Sequence, residues 1–182
     1  MPNVEMMPKN GYPGPVEVAV NDKVVMVFMD SQWWLEQLDK PGIDSDCDCQ
    51  TGEEVITSLK EIISVNSDKL LLVAMHHPFY THGANGGYFT IKQHIFPFTD
   101  AQNGLFIPLP VVGSVYPVTR GWFGTSQDIH HPNYRVLIHD VEEALKTHPN
   151  VIQAAGHEHS LQFLQKDSIN YIVSGSGSKT SG

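Results

Sequence analysis

Val151-Ile152-Gln153-Ala154-Ala155-Gly156-His157-Glu158-His159 runs from an apolar segment straight into two histidines. Five residues of this character, bounded by glycine, read as a buried strand. Gly156 lets the backbone turn closely at the strand end. If the next residues stay extended, His157 and His159 point to the same side, because side-chain direction repeats every second residue. A second stretch of the same kind lies upstream, where Leu70-Leu71-Leu72-Val73-Ala74-Met75 leads into His76-His77-Pro78. Pro78 restricts His77 to extended backbone, so adjacent His76 and His77 face opposite ways and only one of them meets a shared ion. Neutral imidazoles at strand ends, on loops held by a rigid sheet, suit ions such as Zn, Fe and Mn.

Working outward, helix and strand patterns alternate. Val16 to Val20 and Val24 to Met29 form a hairpin about the turn Asn21-Asp22-Lys23. Asp30-Ser31 caps a short helix reaching Leu38, with Trp33 and Trp34 as packing residues. Thr51-Gly52-Glu53-Glu54 fits a capping box, and Val55, Ile56, Leu59, Ile62 and Ile63 follow at helical spacing as far as Asn66. Asn133 caps another helix, with Tyr134, Leu137, Ile138, Val141, Ala144 and Leu145 on one face. Leu161–Leu164 and Ile169–Val173 read as two more strands. This order defines a layered α/β fold. Residues 76–132 carry little periodicity but many apolar, glycine and histidine residues, which predicts an ordered, function-bearing insertion.

Composition narrows the function. Apolar residues make up 41% of the 182 and charged residues 17%, enough apolar material for a sizeable core in one domain. A formal charge of −9 argues against nucleic acid or an anionic membrane as partner. No run approaches the roughly 18 apolar residues of a membrane-spanning helix, and Met1-Pro2-Asn3-Val4-Glu5 lacks the basic, apolar start of a signal peptide. Cys47 and Cys49, one residue apart, cannot pair without strain and are expected as exposed thiols in an acidic loop.

Ala74-Met75-His76-His77-Pro78 and Ala154-Ala155-Gly156-His157-Glu158-His159-Ser160, each at a strand end with a long insertion between, resemble motifs of the calcineurin-like metallophosphoesterase superfamily. The chain is most similar to the purple-acid-phosphatase-like and bacterial branches, also through Met29 to Trp34, His82 to Gly87 and Ser174 to Ser178. The resemblance implies part of a four-layer α/β/β/α sandwich with a long irregular insertion. It implies two metal ions in the full domain (Fe, Zn or Mn) and hydrolysis of a phosphoester by a metal-bound hydroxide. By motif match, His76 would be a metal ligand, His157 would bind one metal and His159 the other. His82 is the candidate for proton transfer. His77, Asn85 and Arg120 are candidates for substrate contact, although an ion pair of Arg120 with Asp128 is an equal alternative. The family's Gly-Asp and Gly-Asn-His-Asp/Glu motifs do not occur here, and the N-terminal half holds no Asp-x-His, the one at Asp128-Ile129-His130 standing late in the chain. Residues 1–182 therefore correspond to the C-terminal portion of one such domain, with an inactive fragment or binding module as the alternative. Amidohydrolases and metallo-β-lactamases, which place His-x-His early and follow it with more ligands, fit less well.

Overall fold

The computed structural model describes residues 5–36, 40–89, 91–96, 98, 106–109, 112–115 and 126–177. It is a mixed α/β fold built on a six-stranded sheet in the order β1-β2-β3-β4-β6-β5. The strands are β1 (Val16–Asn21), β2 (Val24–Phe28), β3 (Leu70–Met75), β4 (Val151–Ala155), β5 (Leu161–Lys166) and β6 (Ile169–Ser174). The four central strands, β2, β3, β4 and β6, run parallel. Hairpins add β1 and β5 antiparallel at the two edges.

The helices are α1 (Ser31–Leu35), α2 (Gly52–Val65), α3 (Ile91–Ile95) and α4 (Pro132–Leu145). The capping box is formed as the residues demand: the Glu54 amide donates to Thr51 Oγ1, and the Glu54 carboxylate accepts from the Thr51 amide. Asp30 caps α1, accepting from the amides of Gln32 and Trp33, but α1 ends at Leu35 and Leu38 lies outside the described residues. The last helix begins two residues earlier than its sequence suggests, with its cap at His131 rather than Asn133. His131 caps it through Nδ1, with Pro132 in the first turn, where no amide hydrogen is needed.

One sheet face is closed. Val25, Val27, Leu71, Val73, Val151, Ile169 and Tyr171 pack against Val55, Leu59 and Ile63 of α2 and Leu137, Val141, Ala144 and Leu145 of α4. Cys47 and Cys49 are buried rather than exposed, because the Cys47 thiol finds the Cys49 carbonyl and Cys49 joins this core.

The opposite face is different. The registers align Val16, Phe28, Ala74, Ala154, Ile172 and Phe163 in one row across all six strands. Met26, Leu72 and Ile152 form the row beside it. None of these nine residues is fully buried, and Phe163 is 67% exposed. A sheet with apolar residues on both faces is made to be covered twice.

Candidate metal centre

Three neighbouring parallel strands end at one place. β2 leads to Asp30, β3 to His76 and His77, and β4 through Gly156 to His157. The Gly156 amide continues the ladder by donating to the His76 carbonyl at 3.0 Å. Ligands of open α/β sheets lie at this carboxyl end of the strands.

The imidazoles of His76, His77 and His157 meet there, each offering a ligand nitrogen within 4.8 Å of the others. Hydrogen bonds sort the three. His157 Nε2 lies 3.0 Å from the Gln127 carbonyl, which can only accept, so this nitrogen carries the proton. Its Nδ1 is then a lone pair, and His76 Nε2–H donates to it across 3.1 Å. Two nitrogens bound to one ion at about 2.0–2.1 Å, with angles of about 90–109°, stand roughly 2.9–3.4 Å apart. The pair is therefore already spaced as two ligands of one ion, with a proton between them.

His77 is held otherwise. It is fully buried, its Nε2–H donates to Gln127 Oε1 at 2.7 Å, and its Nδ1 receives the Ser31 hydroxyl at 2.8 Å. Ser31 Oγ in turn accepts the His77 amide at 3.0 Å. Both ring nitrogens are used by the protein, so proximity alone overstates His77 as a ligand. Its buried ring, edge-on to Tyr134, supports the pair from beneath.

Electrostatics suit a cation. Burial holds the His76 pKa below its ordinary value, partly opposed by the charge of Asp30. Burial likewise pushes His77 down to about 4; the Gln127 contact opposes this, and His157 and His76 add to it. Neutral imidazoles are the form that binds metal. His76 is exposed toward a cleft of about 320 Å³, lined by Met6, Met7, Phe28, Asp30 and Ala74 among others, where the strand ends meet the second sheet face.

The other candidates stand apart. His157 has φ +59°, in the left-handed region, so the segment is bent and the same-side argument for His157 and His159 does not hold. His159 is half-buried and outside the three-histidine group. His82 is exposed, its ring against Tyr88 at 5.4 Å, also outside the group. Asn85 turns its backbone amide to Glu158 Oε2 at 3.1 Å. Arg120 lies outside the described residues. The residues that sequence reasoning missed are Ser31, Gln127 and Glu158. Glu158, inside the histidine motif, and Ser31, inside the Met29 to Trp34 segment, had signals that could have found them; Gln127 had none.

Fold and site together define an α/β chain with a histidine pair at the carboxyl ends of its parallel strands. No family model and no curated protein matches the chain. A solved structure from Plasmodium, "GAP50 the anchor in the inner membrane complex", is similar at 16% identity with a TM-score of 0.49. The match covers 92% of this chain but only 38% of that one, and a likeness of this size assigns no role here. Among the described residues, no helix is long and apolar enough to cross a membrane.

Proposed function

We propose that the chain is the C-terminal portion of a metal-dependent phosphoester hydrolase. It contributes His76 and His157 to one ion, and His159 to a second whose other ligands lie elsewhere in the full domain. The observation that carries this reading is the 3.1 Å separation of His76 Nε2 and His157 Nδ1 at the carboxyl end of the sheet. Zn, Fe or Mn, when bound, supplies Lewis acidity toward water and the phosphoryl group. The chain's own residues hold the ion and orient it: Gln127 fixes the His157 tautomer, and the His77–Ser31 pair supports the rings. The partly exposed apolar face supports the finer architecture, since a second sheet laid on it completes a four-layer α/β/β/α sandwich.

The test is hydrolysis of a generic aryl phosphate by chelator-stripped protein after adding Mn, Zn or Fe. Metal-dependent turnover that disappears in His157→Ala supports the proposal, and turnover unchanged in that variant overturns it. Metal binding without turnover favours the second reading, a binding module that keeps the fold. That reading draws on the chain's lack of the family's Gly-Asp and Gly-Asn-His-Asp/Glu motifs.

A further inference from the structure

We propose that Glu158, the residue between the two motif histidines, is a positioning residue that holds His157 in its ligand-ready conformation. The inference rests on the metal-site reading above and deepens it. Glu158 is only 5% exposed, although a free carboxylate belongs in water. Its Oε2 accepts the Asn85 amide at 3.1 Å. The carboxylate lies flat on Gly83, where an added Cβ would stand 2.0 Å from the Glu158 Cδ. Its carbonyl is seated equally closely on Gly175, at 2.1 Å from a built Cβ. No larger residue fits at either glycine without a shift.

Two further bonds run in parallel. The His82 amide donates to Gln162 Oε1 at 2.9 Å, and Gln162 Nε2 donates to Thr81 Oγ1 at 3.0 Å. The loop after His76-His77 is thereby strapped to the segment after His157. The loop is tied to a third segment as well, because the Ile129 amide donates to the Asn85 carbonyl at 3.1 Å. That third segment carries Gln127, which contacts both His77 and His157.

The strap explains the strain at His157. A non-glycine residue in the left-handed region gives up about 1–2 kcal/mol, and such strain persists only where the surroundings enforce it. His157 is anchored on one side by its ring contacts to His76 and Gln127, and on the other by the clamped Glu158. With the clamp released, the backbone relaxes to negative φ and the imidazole swings away from His76.

The experiment uses the 182-residue chain in two arms. In the metal-free arm, ¹⁵N NMR of the imidazoles shows His157 as a single Nε2–H tautomer in the parent and as a tautomer mixture in Glu158→Ala. In the second arm, Zn(II) alone is titrated in competition with a chromophoric chelator. Removing an outer-shell partner costs about 10–100-fold in metal affinity, and that loss is expected for Glu158→Ala. Glu158→Gln, whose amide oxygen still accepts from Asn85, restores affinity to within about threefold. A variant that melts lower but keeps the parent tautomer and Zn(II) affinity overturns the proposal, because a merely structural role would do only that. If Glu158→Ala does not fold, Gln162→Ala decides by the same two readouts. If the parent itself binds no Zn(II), the metal-site reading fails, and the tautomer arm still judges the strap.

Discussion

Acid should weaken this fold through the buried His77. The group is fully buried with a pKa near 4, while the unfolded chain gives it the ordinary 6.5. The folded state thus resists a proton that the unfolded state accepts, so stability is complete above the unfolded value and falls as pH drops from 6.5 toward 4. The gap of 6.5 − 4 = 2.5 corresponds to about 3 kcal/mol in full, of which about 2 kcal/mol is lost between pH 7 and pH 5. Urea unfolding across that range, on the parent and on His77→Gln, isolates the effect, because the carboxylates titrate alike in both. The parent should lose about 2 kcal/mol more than the variant on going to pH 5. Parallel pH profiles would refute the reasoning and would mean that His77 protonates freely where it sits.

Gln153 sits fully buried in the centre of β4, and neither side-chain polar atom has a hydrogen-bond partner among the described residues. Gln153→Met should therefore stabilise the chain by about 1–3 kcal/mol, read as a higher melting temperature. Glu142 is buried and accepts the hydroxyls of Tyr80 and Tyr171. Burial raises its pKa, but those hydroxyls and the ammonium groups of Lys166 and Lys146 outweigh this and leave it below the carboxylate norm. Glu142→Leu removes the acceptor of both phenols, including that of the buried Tyr171, and should cost about 2–5 kcal/mol in chemical denaturation. Gly83→Ala forces a methyl into the Glu158 carboxylate and should lower stability by about 1–3 kcal/mol, with the same loss of Zn(II) affinity as Glu158→Ala.

The sheet was legible because its strands are short apolar runs closed by turn residues, as in Leu70–Met75 and Val151–Ala155. The capping box at Thr51 was legible because it is local chemistry among four residues. What stayed hidden depends on contacts between segments far apart in sequence. The burial of Cys49 in an acidic loop follows from core packing that no local pattern announces, and Cys47 is buried through its contact with the Cys49 carbonyl. Period-two alternation failed at His157 because a left-handed residue there breaks the extended chain. His77 became a support because Ser31 and Gln127, distant in sequence, occupy both of its nitrogens. The pairing of His76 with His157 was readable from the two motifs, but the donor directions that make it a ligand pair needed Gln127.

The central claim is that His76 Nε2 and His157 Nδ1 hold one ion between them. Anomalous diffraction at the zinc edge, from crystals of the chain soaked with Zn(II), tests it most directly. A single strong peak is expected about 2.0–2.1 Å from both nitrogens, with His77 still bonded to Ser31 and Gln127. A peak elsewhere, or an intact hydrogen bond between His76 and His157 at saturating zinc, would contradict it.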